Sequence, residues 1–149
     1  MGKKSIYASL IGINAYEKAN SLNGCIKDIL NFDKLLRTLV QNQNDEMEYR
    51  PLYLLSPKTA DENIIKQYAE RENITLQYLL PTFSNVLGKA FEHLANAKNN
   101  DICIFYYSGH GSYLDAPKAF WSRQNTRVNQ TLVCCDSRSA ARDLTDKEI

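Results

Sequence analysis

The spacing of apolar residues constrains this chain most. Three short apolar runs occur at residues 5–13 (SIYASLIGI), 52–55 and 101–107 (DICIFYY). Between them the apolar positions recur at helical period. Short apolar runs bounded by turn residues read as buried strands, and recurrence at i, i+3 and i+4 reads as an amphipathic helix. Leu22, Ile26, Ile29, Phe32, Leu36 and Leu39 predict a helix over 22–40, with Ser21 or Asn23 as its cap. Phe83, Val86, Leu87, Ala90, Phe91, Leu94 and Ala97 predict another over 82–97. Residues 63–71 carry a weaker stripe and are expected to form a short helix. Strand, helix, strand, helix, strand is the α/β signature, with a parallel sheet and right-handed crossovers. The almost continuous run at 101–107 suits a parallel strand covered on both faces. A tight glycine-flanked loop follows at 108–112. Residues 113–129 are expected to be irregular, 132–135 a short apolar strand, and 136–142 a polar loop.

The last residues carry their own signal. Thr145-Asp146-Lys147-Glu148 has the Ser/Thr-x-x-Glu form of a capping box and is expected to open a helix. Ile149 would be that helix's first apolar residue. One turn does not hold as a helix by itself, so the architecture is expected to be C-terminally incomplete.

Composition limits the function classes. A length of 149 residues gives one domain, 1–149, as the expectation. The chain is 44% apolar and 23% charged, which argues against disorder, collagen and coiled coil. Eighteen Lys+Arg against seventeen Asp+Glu leave a net charge of +1, no basic footprint for nucleic acid. No apolar run is long enough to cross a membrane. Residues 1–5 are basic and 6–13 apolar, a loose imitation of a leader; no A-x-A site follows, and a buried first strand fits better. Gly2 lacks the Ser or Thr at position 6 of a myristoylation motif, which is Ile6. The four cysteines, Cys25, Cys103, Cys134 and Cys135, fit neither a disulfide framework nor a zinc spacing. Reduced thiols in the cytoplasm are the simpler expectation.

Parallel α/β sheets gather their sites at the carboxyl ends of the strands. His110 falls there, after the run at 101–107. Gly109 and Gly111 flank it, leave their amides uncrowded and let a substrate approach the backbone. A histidine that titrates near neutrality beside free N–H groups suits a general base next to an oxyanion site. A histidine that merely caps a loop would look the same.

Three segments carry a family resemblance. Residues 7–14 (YASLIGIN) with 22–28 (LNGCIKD), residues 104–112 (IFYYSGHGS), and residues 131–136 (TLVCCD) with 143–149 (DLTDKEI) occur in this order. Together they resemble the large-subunit, p20-type part of the caspase-like cysteine peptidases of family C14, in particular bacterial caspase homologues and metacaspases. The resemblance implies a three-layer α/β/α fold with a mostly parallel sheet. It implies cysteine-type endopeptidase activity on protein or peptide substrates, through a Cys-His dyad. Carried onto this chain, His110 is the base and acid, the Gly111 N–H is one oxyanion donor, and Ser108 and Gly109 shape the loop.

The nucleophile does not carry over. In this family the cysteine follows the histidine by about 50 residues, which places it beyond Ile149. The family presents it in an Asp-x-Cys-His-Ser-Gly-like segment, and no such segment occurs here. The chain alone is therefore expected to be inactive. Cys134 and Cys135, only 24 and 25 residues after His110, are the weaker candidates for that role, and buried strand cysteines are the better reading. Cys25 matches a helix-start cysteine not used for attack, and Cys103 is expected in the strand core. Metacaspases favour basic residues before the scissile bond; residues 14–20 offer only Glu17 as an acid, beside Lys18, so no pocket is assigned. No cofactor is implied. Some metacaspases bind calcium, and Asp146 matches one such place, but Asn129 stands where an acid is expected.

His93 reads as a surface or helix-end residue. Phe120 and Trp121 could line a groove or pack their loop onto the body. Two rival readings stand beside the peptidase. One is a non-catalytic caspase-like module that associates with itself or a partner through an exposed C-terminal face. The other is a redox protein using Cys134 and Cys135.

Overall fold

The computed structural model describes residues 3–43, 46–121 and 127–149. Its centre is β1 (Lys4–Ile13), buried at every position from Ser5 onward. After α1 (Cys25–Gln41), β2 (Met47–Ser56) pairs with β1 in parallel, from Lys4 opposite Met47 to Ile13 opposite Ser56. The chain continues through α2 (Thr59–Glu72) and the short β3 (Tyr78–Leu79). A broken helical segment then leads to β4 (Ile102–Ser108), which pairs with the other side of β1. The sheet order is β3-β2-β1-β4, all parallel. A second, antiparallel sheet holds β5 (Gly111–Asp115), β6 (Val128–Leu132) and β7 (Leu144–Thr145) in the order β5-β6-β7. The expected α/β architecture with a mostly parallel sheet is present.

Alternation along the strands divides the core into two, because successive side chains point to opposite faces. Ala8, Leu10, Tyr53 and Leu55 pack against Ile26, Ile29 and Leu30 of α1 and Ile65 and Tyr68 of α2. Ile11, Ile13 and Leu54 pack on the other face against Val86 and Ala90. The result is three layers. Gly12 lies on the α1 side, where a Cβ would stand 2.6 Å from the Ile29 side chain, so glycine is what lets α1 lie this close.

Several expectations are corrected. Helix α1 begins at Cys25, not Leu22. Its N-cap is Gly24 at a left-handed φ of 106°, so neither Ser21 nor Asn23 caps it. The Asn14 side-chain oxygen instead accepts from the Cys25 N–H at 3.1 Å. Helix α2 is longer than 63–71, because Asp61 accepts the Lys58 N–H and secures its first turn. The helix expected over 82–97 is α3 (Phe83–Asn85), a π-helical turn (Val86–Ala90) and α4 (Phe91–Ala95). A π-turn disturbs the regular ladder, and the Ala90 carbonyl accepts from buried Ser9 Oγ at 2.8 Å. Strand β4 is covered on both faces only in part: Ile104 and Tyr106 pack on the α1 side, and Phe105 and Tyr107 on the other. It is the last strand of its sheet among the described residues and is partly exposed. Part of the stretch expected to be irregular, 113–129, is the β5–β6 hairpin. The strand expected at 132–135 ends at Leu132. No helix opens at Thr145; β7 ends there in a turn. The Glu148 carboxylate still folds back to the Thr145 N–H and Oγ1, both at 2.9 Å, so one of the two capping-box bonds forms without the helix; the Glu148 N–H goes to the Thr145 carbonyl instead of the side chain.

A buried carboxylate that sequence reasoning did not single out fastens the α1 face. Asp33 is fully buried and accepts from Arg37 Nε at 2.8 Å, and from the hydroxyls of Tyr49 at 2.6 Å, Tyr53 at 2.8 Å and Tyr68 at 2.6 Å. It thereby joins α1 to β2 and α2. Burial, reinforced by the Asp33 charge, raises all three tyrosine pKa values well above the ordinary range, so the hydroxyls remain donors. Asp33→Ala is expected to destabilise the fold by about 3–5 kcal/mol, because removing one partner strands the others. Urea unfolding measures this, and a loss under about 1 kcal/mol, the worth of an ordinary neutral hydrogen bond, would show that the cluster does not hold the face.

Candidate functional site

The strand order reverses between β1 and β4, and ligand crevices in such sheets open at that switch point. Two segments meet there: the loop 14–24 after β1, and Gly109-His110 between β4 and β5. His110 is half-buried. Its Nε2 lies 2.8 Å from the Asn20 carbonyl oxygen. A carbonyl only accepts, so Nε2 carries a proton, and in the neutral form of the ring Nδ1 is the basic nitrogen. The His110 ring lies against the Tyr16 ring, centroids 4.9 Å apart. The Tyr16 hydroxyl accepts the His110 N–H at 2.7 Å. Both tyrosine hydroxyls crowd Gly109, where a Cβ would stand 2.6 Å from Tyr107 Oη and 2.7 Å from Tyr16 Oη. That crowding is the physical reason for a glycine before the histidine.

The ladder sets the Gly111 amide. The Val133 N–H donates to the His110 carbonyl at 3.0 Å, which makes His110–Val133 a hydrogen-bonded position. Gly111 pairs with Leu132 one step along, in the alternate, non-hydrogen-bonded position. Its N–H therefore points away from β6. A cleft of about 310 Å³ opens here, lined by Lys18, Asn20, His110, Gly111, Ser112 and Arg138 among others. Arg138, at a left-handed φ of 64°, donates through Nη2 to Ser112 Oγ at 3.0 Å and to buried Asp143 at 3.1 Å. Ser108 Oγ donates to the Asp28 carboxylate at 2.8 Å, tying the end of β4 to the first turn of α1. The structure thus brings Ser108, Gly109, His110 and Gly111 together. It adds Tyr16, the Asn20 carbonyl and Asp28, which sequence reasoning missed. A main-chain carbonyl leaves no trace in residue identity; the signal for Tyr16 was a lone aromatic in a polar loop leaving a central strand.

The other candidates fall elsewhere. Cys134 and Cys135 are buried in the core cluster beside Val86 and Leu144. Burial, with nearby Asp136, pushes their thiols up to about 12 and about 11. All four cysteines are free thiols. Cys25 is buried, whereas Cys103, expected in the core, is exposed because β4 is an outer strand. Asp146 is exposed and lies 3.1 Å from Lys147 Nζ, and Asn129 is buried. These residues do not fit a calcium site, and no cluster of three or more His, Cys, Asp or Glu among the described residues could hold a metal ion. Glu17 bonds Ser139 on the surface. His93 Nε2 meets the Arg50 carbonyl at 2.8 Å, a structural contact. Trp121 donates to the Ala116 carbonyl at 2.9 Å and lies under Arg127, so it packs its own loop. The side chain of Phe120 lies outside the described residues. No helix among the described residues is long and apolar enough to cross a membrane.

Comparison with known proteins points one way. The model of the Peptidase C14 caspase domain matches residues 6–149. Metacaspase-1 of Meyerozyma guilliermondii is 32% identical over 104 residues, covering 70% of this chain and 20% of that protein. Metacaspase-1 of Debaryomyces hansenii is 34% identical over 110 residues, 74% of this chain and 20% of the relative. Metacaspase-1 of Schizosaccharomyces pombe is 30% identical over 104 residues, again 70% and 20%. The chain spans about a fifth of the length of these curated relatives.

Thiol chemistry tests the electrostatics. With a pKa pushed up to about 11, under about one Cys135 thiol in a thousand is thiolate at pH 7.5, and the thiolate is the reactive form. Native alkylation read by mass spectrometry is expected to label Cys103 first. Cys134 and Cys135 should follow only on unfolding. Fast native labelling of Cys134 or Cys135 at pH 7.5 would overturn this.

Proposed function

The chain belongs to the caspase-domain peptidases of family C14, and on that premise we propose that it is the histidine-bearing part of a cysteine endopeptidase. One observation carries the reading: His110 Nε2 is fixed on the Asn20 carbonyl while Gly111, whose N–H the register turns away from β6, lines the same cleft. A carbonyl on one imidazole nitrogen orients the ring and reserves the other for proton transfer.

The chemistry follows in two steps. Nδ1 of His110 takes the proton of a cysteine thiol, and the thiolate attacks the scissile carbonyl carbon. The tetrahedral oxyanion is held by the Gly111 N–H and a second amide at the cysteine. His110 then returns the proton to the leaving amine as the C–N bond breaks, leaving a thioester. Water, deprotonated by the same imidazole, hydrolyses it. The nucleophile is assigned to a segment outside residues 1–149, of the Asp-x-Cys-His-Ser-Gly type. The core thiols Cys134 and Cys135 have pKa values that keep them protonated.

The 149-residue chain alone is expected to leave peptide substrates intact. A longer chain that carries the nucleophile segment should cleave them. His110→Ala in that longer chain should lower kcat/KM by about 10²–10⁴, the usual worth of a positioned acid–base group. Cleavage by the 149-residue chain that survives His110→Ala would sink the reading. The rival, a non-catalytic interaction module, draws on the partly exposed outer strand β4. Sedimentation showing a stable complex, together with cleavage-incompetence of every longer form, would favour it.

A further inference from the structure

The β5–β6 ladder is interrupted where the candidate base sits. In a regular antiparallel pair, His110 and Val133 would exchange two N–H···O bonds. One is present, from the Val133 N–H to the His110 carbonyl. In place of the other, the His110 N–H goes to the Tyr16 hydroxyl at 2.7 Å, and the Val133 carbonyl lies 2.9 Å from the Tyr107 hydroxyl. Both hydroxyls converge on Gly109, where a Cβ would lie 2.7 Å from Tyr16 Oη and 2.6 Å from Tyr107 Oη. Two hydroxyls are thus inserted between a donor and an acceptor that would otherwise meet. Tyr107 Oη also lies 2.9 Å from the His110 carbonyl, so the bridge holds both peptide groups of the residue.

We propose that Tyr16 is a positioning residue for His110, acting with Tyr107 as a two-hydroxyl bridge that sets the histidine backbone and ring. This rests on His110 as the base of the peptidase reading. The geometry explains why one loop suffices. Tyr16 fixes the His110 main chain, and Asn20 of the same loop fixes its Nε2. The peptides on either side of Tyr16 are themselves tied down, with the Ala15 N–H on Ser56 O and the Glu17 N–H on Cys135 O, both at 3.0 Å. Tyr16 is therefore held from both β2 and the segment after β6. Gly109 is required because the bridge fills the space a side chain would take.

The test needs no nucleophile, so the 149-residue chain serves. NMR of the His110 amide and imidazole is recorded in the parent and in Tyr16→Phe. The expected result is an upfield shift of the His110 amide proton and about tenfold faster amide exchange, the worth of one lost hydrogen bond. The fraction of imidazole protonated at Nε2 should fall as well. Tyr107→Phe keeps the Tyr16 acceptor, so its effect on the amide should be smaller. Folded Tyr16→Phe with unchanged His110 signals would overturn the proposal. If Tyr16→Phe does not fold, biosynthetic 3-fluorotyrosine keeps every ring and weakens the oxygen as acceptor. The same upfield shift then supports the bridge, and its absence removes it. In a longer, active chain Tyr16→Phe should lower kcat with KM retained. Cleavage that ignores His110→Ala would sink the peptidase reading alone and leave the NMR result standing.

Discussion

The buried amide of Asn14 fastens the parts on which everything else depends. It sits at the carboxyl end of β1, and its polar atoms are satisfied from separate elements. Its N–H reaches Ser56 O of β2 at 3.0 Å, and its carbonyl takes the Leu22 N–H at 2.8 Å. Its side-chain oxygen takes the Cys25 N–H of α1, and its nitrogen donates to Asp61, which caps α2. An unsatisfied buried amide costs about 1–3 kcal/mol, so a residue placed this way tolerates little movement of any neighbour. The loop that leaves Asn14 carries Tyr16, Lys18 and Asn20. The geometry around His110 is thus set by a hydrogen-bonded knot at the end of the most buried strand, not by the histidine loop itself.

Two departures from regular backbone structure sit beside this knot, and they work in the same direction. The π-turn at Val86–Ala90 gives Ser9 an acceptor deep in the second core face. The inserted hydroxyls open the β5–β6 ladder at His110. Alternation in an antiparallel pair leaves every second residue without a cross-strand bond, and Gly111 occupies that position. The outward N–H is therefore a consequence of register. A one-residue slip would exchange the roles of His110 and Gly111 and turn the amide inward.

Sequence periodicity made the parallel sheet legible because β1 and its neighbours bury both faces and so read as unbroken apolar runs. It also placed His110 at the correct end of its strand. The failures have physical causes. Residues 101–107 read as a strand covered on both faces, and β4 does pack side chains on both; its partial exposure comes from being the last strand described in its sheet, which apolar composition does not report. The start of α1 was misplaced because the cap comes from Asn14, distant in sequence, and Gly24 adopts a conformation only glycine takes easily. The capping-box pattern at Thr145–Glu148 predicted one hydrogen bond correctly, from the Thr145 N–H to Glu148, and the helix incorrectly, since so few bonds do not outweigh the cost of nucleating a turn. Within the site, the glycines and histidine could be read from identity. The Asn20 carbonyl could not, because every residue has one.

The cysteines show why a core thiol of this fold is a poor nucleophile. A thiol that fills a core gap gains stability from being apolar, and the same burial disfavours its thiolate. Cys134 and Cys135 stand at that limit, packed with Val86 and Leu144 and with Asp136 adding like-charge repulsion. A nucleophile needs the reverse: partial exposure and a cationic neighbour. Asp136 cannot supply that. On the proposed reading that neighbour is His110, and the thiol has to be presented from the cleft, against the Nδ1 that the Asn20 carbonyl leaves free.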